Sequence, residues 1–254
     1  MILNSKIIGK SSNCIIILHG LFGSLDNWLS IGKELSYTHQ VHLVDLTNHG
    51  KSFHTNEHNY DLMSKDVYNY IKHHQIKNVS IIGHSMGGKV AMYFSIYHSQ
   101  LIKNLIIVDI SPRKYNNEHK IIIKALSEIL QVKLESRKDA EVILSKYDIP
   151  KHTSQFLLKN LFWNEDANLA FRFNLNAIKK SINDLLDFPI EFETVKIKSF
   201  FIRGSNSNYI NQDDLKFINE KFSNSTLIDI FGSGHWVHFD QREKFIDTIK
   251  KITL

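Results

Sequence analysis

The sequence has few cysteines, which cross-link a fold, and few prolines and glycines, which interrupt helices and strands. Among 254 residues there are one cysteine, three prolines and eleven glycines. A single cysteine, Cys14, excludes an internal disulfide and is typical of a reducing compartment, so we expect a cytoplasmic location. Cys14 starts an apolar run, which favours a small core residue over a reactive thiol.

Long hydrophobic runs and clusters of one charge are also lacking. The longest apolar runs have about five residues, whereas a membrane span needs about 20. Residues 1–4 show no basic-then-apolar leader pattern. The formal net charge is +5, but the lysines are scattered rather than concentrated on one element, unlike those of a nucleic-acid binder. We therefore expect no leader, no integral membrane segment and no nucleic-acid partner.

Most glycines follow short apolar, β-branched runs, which read as strands buried on both faces. The runs cover residues 15–18, 41–44, 79–82, 105–108, 200–202 and 227–230. Helical periodicity lies between them, near residues 28–35, 63–71, 86–94, 215–222 and 245–252. This alternation predicts an α/β fold with a mostly parallel, doubly wound sheet. In such sheets the functional site lies beyond the carboxyl ends of the strands, where the glycines cluster.

Residues 113–188 interrupt the alternation. They show helical patterns and no convincing strand, and Pro112 and Pro189 bracket them. We expect a helical insertion that forms a lid over the strand ends, on a core made of residues 1–112 and 189–254.

Ser85 lies in the motif Gly83-His84-Ser85-Met86-Gly87, between an apolar run and a helical pattern. This strand–turn–helix context predicts a nucleophile elbow, a sharp turn on which a serine hydroxyl stands clear of the backbone. Glycines leave room where a Cβ would collide with the neighbouring strand or helix. The alternative is a serine in an ordinary glycine-rich turn.

A serine nucleophile needs a base and an oxyanion hole. His235 comes last in the chain, in the glycine-flanked loop 231–236 after a predicted strand, and is the best of 14 histidines for the base; His238 is its nearest rival. The oxyanion donors are predicted to be the N–H groups of Met86, directly after Ser85, and Leu21, in the first strand–helix loop. His19 in that loop reads as structural, since no His-Glu-x-x-His or Cys-x-x-Cys pattern indicates a metal, and we expect no cofactor.

We expect the acid that orients the base to lie outside the loop that usually supplies it. The loop at its usual place, residues 203–209, contains no carboxylate. Asp109 ends the preceding strand and is our prediction for the acid; the alternative is a turn former before Pro112. Asp187 is a weaker candidate, and Asp213 and Asp214 read as solvated helix residues.

Three strings carry a family resemblance: residues 19–28 (HGLFGSLDNW), 83–89 (GHSMGGK) and 232–238 (GSGHWVH). They resemble α/β-hydrolase fold enzymes, above all small bacterial carboxylesterases of the YbfF type and their mitochondrial abhydrolase-domain relatives. Parts of the insertion, residues 155–159 and 171–174, are similar too. The resemblance implies carboxylesterase activity, with acyl-CoA thioesterase activity as a further option, and supports Asp109 as the acid. Thr47 departs from the pattern, because the family usually has Arg there.

The leading functional hypothesis is therefore a hydrolase that cleaves small-molecule esters or thioesters through an acyl-serine intermediate. Phe22, Phe173, Trp163 and Trp236 are predicted to bind the substrate. A lyase on the same fold and triad, or a non-catalytic binding protein on this scaffold, remain the alternatives.

Overall fold

Seven strands form the central sheet of the protein, whose computed structural model describes residues 1–165, 168–188 and 191–254. The strands along the chain are β1 (Ser5–Ile8), β2 (Cys14–Leu18), β3 (Gln40–Val44), β4 (Val79–His84), β5 (Ile102–Val108), β6 (Leu161–Trp163), β7 (Leu169–Phe171), β8 (Ser199–Gly204) and β9 (Ser225–Ile230). The sheet order is β1-β3-β2-β4-β5-β8-β9. Only the β1–β3 pair in this order is antiparallel, so the prediction of a mostly parallel α/β sheet is confirmed.

Helices flank the sheet and fill the insertion. They are α1 (Leu29–Leu35), α2 (Tyr60–His73), α3 (Met86–His98), α4 (Lys120–Gln131), α5 (Arg137–Ser145), α6 (Lys151–Leu158), α7 (Leu175–Leu186), α8 (Gln212–Lys221), α9 (Val237–Asp240) and α10 (Arg242–Thr253). Short 3₁₀ turns occupy Leu25–Trp28 and Ser99–Leu101. The helical periods read from the sequence thus correspond to α1, α2, α3, α8 and α10.

Alternate residues of the central strands enter two hydrophobic clusters on opposite faces of the sheet. In β2, Ile16 and Leu18 join the larger cluster, whereas Ile15 and Ile17 join the smaller one. Because successive side chains of a strand point to opposite faces, burial on both faces requires a continuous apolar run. This explains why the strands read as unbroken apolar segments.

The insertion packs into the larger cluster. Leu126 of α4 and Ile178 and Leu185 of α7 are buried there with Ile81 of β4 and Phe94 of α3. The insertion therefore shares its core with one face of the sheet. Its role as a lid stays a prediction, and its boundary residue Pro189 lies outside the described residues.

Two features of the fold differ from the sequence predictions. The edge strand β1 was not expected, because its burial is only partial and its apolar pattern is short. The insertion, expected to be wholly helical, contains a hairpin in which Leu161 pairs with Phe171 and Trp163 pairs with Leu169. These bulky apolar residues also fit a helical pattern, so the hairpin is set by pairing partners that periodicity does not reveal.

Within the described ranges, no helix combines the length and the apolar character needed to cross a bilayer.

Candidate active site

Four neighbouring strands end in the residues of the candidate site. Ser85 follows β4, Asp109 follows β5, Ser207 lies in the loop after β8, and His235 lies in the loop after β9. Because parallel strands end at the same edge of a sheet, residues that are far apart in sequence meet there.

Ser85 occupies a strained turn between β4 and α3. Its φ is 52° and its ψ is −119°, a region that residues with a side chain seldom adopt. Its backbone N–H donates to the Val108 carbonyl at 3.1 Å, which ties the turn to the end of β5. A Cβ on Gly87 would lie 2.4 Å from the Leu18 carbonyl oxygen, so only glycine fits where α3 crosses β2. This is the geometry of a nucleophile elbow.

The loop after β2 lies directly over this turn. An added Cβ on Gly20 would lie 3.3 Å from the Ser85 Cβ. The His19 ring fixes the loop: its Nδ1 bonds to the Gly20 carbonyl at 2.9 Å, and its Nε2 accepts from the Leu46 N–H at 3.0 Å. His19 is therefore a structural residue of the loop. Leu21 is brought to the same cavity as Ser85 and Met86.

The predicted base, His235, and the predicted acid, Asp109, form a direct pair. His235 Nδ1 lies 2.8 Å from Asp109 Oδ2, and Asp109 is fully buried. Asp109 has a φ of 51° and donates its backbone N–H to the Ile202 carbonyl at 2.8 Å, which ties the end of β5 to β8. The Tyr209 ring stacks on the His235 ring with 3.7 Å between centroids. With Nδ1 bound to Asp109, Nε2 is the nitrogen available to a nucleophile.

The end of β8 and the loop after it contribute donors in place of a carboxylate. The Gly204 N–H donates to Asp109 Oδ1 at 3.0 Å, and the Ser207 hydroxyl donates to Asp109 Oδ2, the oxygen that also faces His235. Sequence reasoning missed Ser207. The signal was the serine-rich loop 203–209 itself, since a buried carboxylate supplied from β5 needs donors at the place it would otherwise fill.

The rival base, His238, is engaged elsewhere. His238 lies on the first turn of α9, and its ring stacks on the Trp28 ring, with 3.9 Å between centroids and 14° between ring planes. Burial, and then the neighbouring His235, lower the pKa of His238 to about 3. It is therefore a neutral packing residue at ordinary pH.

The rival acids have other partners or are exposed, and one differs from its prediction. Asp214, expected to be solvated, is buried: its carboxylate lies 2.8 Å from Arg113 Nε and caps α8 by accepting the Asn211 N–H. Asp213 is exposed. Asp187, the weaker candidate, pairs with Lys114 at 3.1 Å.

A cavity of about 380 Å³ contains Ser85 and His235. Its apolar wall consists of Leu21, Met86, Ile110, Ile182, Leu185 and Leu186, and its polar wall includes Asn116, Glu118, His119, Asn206 and Asn208. Burial lowers the pKa of His119 to about 4, so this histidine is neutral near pH 7. Both apolar and polar side chains therefore line the cavity.

The four residues predicted to bind substrate do not border this cavity in the part of the chain that the structure describes. Phe22 and Phe173 are buried and pack on each other at 5.0 Å. Trp163 is half exposed on the hairpin, and Trp236 packs against Phe156 at 4.8 Å. Helix α7 supplies the apolar wall instead, through Ile182, Leu185 and Leu186.

A model of the α/β hydrolase fold matches residues 13–139. The chain belongs to the α/β-hydrolase fold family. This membership confirms the resemblance seen in the sequence. The chain is 36% identical over 243 residues to the sn-1-specific diacylglycerol lipase ABHD11 of Xenopus laevis, and the match covers 92% of this chain and 78% of the lipase.

Two further α/β hydrolases extend the likeness. Esterase YbfF of Escherichia coli is 29% identical over 238 residues, which cover 93% of this chain and 91% of that esterase. The solved structure of a marine microorganism esterase superposes with a TM-score of 0.96 at 38% identity, covering 100% of this chain and 99% of the other. The chain is thus a hydrolase of the esterase and lipase kind.

Proposed function

We propose that this α/β hydrolase cleaves carboxylic esters through an acyl-serine intermediate. The observation that carries the proposal is the His235–Asp109 pair, 2.8 Å apart, at the cavity into which the strained Ser85 turn opens. A nucleophile, a base and an orienting acid at one cavity are the requirement for acyl transfer.

In the first step the Ser85 hydroxyl attacks the acyl carbon while His235 Nε2 takes its proton. Asp109 stabilises the imidazolium that forms and holds its Nδ1–H. The negative charge that develops on the carbonyl oxygen is stabilised by the N–H groups of Leu21 and Met86. Met86 is the first residue of α3, where backbone N–H groups have no partner within the helix and the helix dipole is positive.

In the second step the tetrahedral intermediate collapses, and His235 returns the proton to the departing alcohol. Water then enters, gives a proton to His235 and attacks the acyl-serine carbonyl. The carboxylic acid leaves, and Ser85 recovers its proton from His235. A thiol is a still better leaving group, so the same steps would cleave an acyl-CoA thioester.

The test compares the purified protein with its Ser85→Ala variant on p-nitrophenyl acetate, butyrate and octanoate and on the matching acyl-CoA thioesters. We expect ester turnover by the protein and a loss of several powers of ten in the variant. Turnover by the variant within about tenfold of the parent protein would reject the proposal. Thioester turnover comparable with ester turnover would extend it to both substrate classes.

A further inference from the structure

Lys89 is a buried lysine one helical turn after Ser85. It lies on α3 and borders the cavity, and 2% of its surface is exposed. Lysine is seldom buried to this extent unless its ammonium is paired. Here Nζ donates to the backbone carbonyls of Arg113 at 2.9 Å, Leu186 at 2.9 Å and Asp187 at 3.1 Å.

These three carbonyls belong to the two ends of the insertion. Arg113 is its first residue, whereas Leu186 is the last residue of α7 and Asp187 follows directly. The Leu186 carbonyl also accepts the Tyr115 N–H at 2.9 Å, so the two ends are joined to each other as well as to Lys89. The Tyr115 ring lies 4.8 Å from Nζ, a distance at which an aromatic face attracts an ammonium.

We propose that Lys89 is a positioning residue that holds both ends of the insertion against α3 and thereby fixes the apolar wall of the acyl pocket. The contact of its Nζ with the three carbonyls is called the clasp below. The proposal rests on the proposed function, because the wall concerned is the one that would face the acyl chain. Leu185 and Leu186 of that wall lie directly before or at the clasped carbonyls. A shift of the clasp therefore shifts the wall.

Charged and polar groups from several elements surround Lys89. Burial lowers the pKa of Lys89 to about 7; the Asp187 carboxylate opposes this shift and Arg113 adds to it. The groups that surround it on other elements are Tyr60 of α2, Arg113, Lys114, Tyr115 and Asp187 of the insertion, and Asp214 of α8, while Glu118, His119 and His235 border the same cavity. Burial raises the pKa of both Tyr60 and Tyr115, so both stay neutral near pH 7.

The test measures kcat/KM for p-nitrophenyl octanoate divided by that for the acetate. In Lys89→Met we expect this ratio to fall at least about tenfold, with a higher KM for octanoate, because several methylene contacts with the wall are lost. Lys146→Met is the matched control: Lys146 is an exposed lysine of the insertion that pairs with Glu128, and its ratio should not change. Lys89→Arg, which keeps a donor to the carbonyls, should restore part of the ratio.

Hydrogen exchange and a second variant cover the cases that ester kinetics cannot decide. Hydrogen exchange at the Tyr115 N–H should accelerate in Lys89→Met and not in Lys146→Met; if the protein hydrolyses no ester, the proposed function fails while this exchange still reports on the clasp. Lys89→Gln, whose shorter amide cannot bond to all three carbonyls, should show the same two changes and keeps the test valid if Lys89→Met does not fold. An unchanged ratio and unchanged exchange in a folded variant would overturn the proposal.

Discussion

At the scale of single residues, the site depends on polar groups whose partners come from distant parts of the chain. Three donors converge on the buried carboxylate of Asp109: the His235 ring, the Gly204 N–H and the Ser207 hydroxyl. A buried carboxylate with several donors is fixed in orientation, and so is the ring that it holds.

Asp109→Asn is expected to lower kcat for ester hydrolysis by about 10⁴, because a neutral amide cannot stabilise the imidazolium and can hold the wrong tautomer. The measurement is steady-state kinetics with a circular dichroism spectrum to confirm folding. The exposed Asp213→Asn is the control and should be near neutral. An Asp109→Asn enzyme with kcat within about tenfold of the parent would show that another group orients His235.

Asp66→Asn is expected to stabilise the protein at neutral pH. The buried Asp66 carboxylate accepts from the hydroxyl of Thr47, the residue that departs from the pattern of the resemblance. Burial raises the pKa of Asp66, so the folded state holds this proton more tightly and loses stability as the pH rises through that pKa. A gain of about 1 kcal/mol would raise the Tm at pH 7 by about 2–4 °C.

The stabilising effect of Asp66→Asn should shrink as the pH falls through the raised pKa of Asp66, because the parent carboxyl then becomes neutral too. Asp247→Asn, an exposed change on α10, provides the control and should leave the Tm unchanged above and below that pKa. A lower Tm for Asp66→Asn at pH 7 would mean that the charged carboxylate stabilises the fold.

At the scale of elements, α7 is the part of the insertion that borders the cavity with its apolar residues. One face of this helix is buried in the core through Ile178, and Ile182 and Leu185 border the cavity. The Tyr60 hydroxyl of α2 donates to the Leu185 carbonyl, which anchors the end of α7 to the sheet side of the cavity. The wall that meets a substrate is therefore positioned by α2 and α3 as well as by the insertion itself.

Ile182→Ala is expected to change acyl-chain preference more than Trp163→Ala. Trp163 lies on the hairpin and is a residue that the sequence predicts to bind the substrate. Each lost methylene contact is worth about 1–3 kcal/mol, so kcat/KM for octanoate should fall at least about tenfold relative to acetate. Trp163 is 49% exposed and should leave the ratio near that of the parent. The reverse order of effects would place the acyl chain along the hairpin.

At the scale of the whole molecule, the sequence predicts the features that follow a local pattern. It does not predict those that depend on residues far away in the chain. The apolar runs and the Ser85 motif specify the sheet and the elbow, because strand burial and a sharp turn impose local patterns. The burial of Lys89 and Asp214 could not be predicted, since their partners are 24 to 101 residues away in the chain. The same holds for the β6–β7 hairpin, which depends on pairing across a loop.

The central claim is that Ser85 carries the acyl group during hydrolysis. Its most direct test is peptide mass spectrometry of the protein quenched during turnover of p-nitrophenyl octanoate, with a fluorophosphonate probe as the stable mimic. The account predicts an octanoyl group, or the phosphonyl group of the probe, on Ser85 and on no residue of the Ser85→Ala variant. An adduct on a different residue, or undiminished hydrolysis by Ser85→Ala, would contradict it.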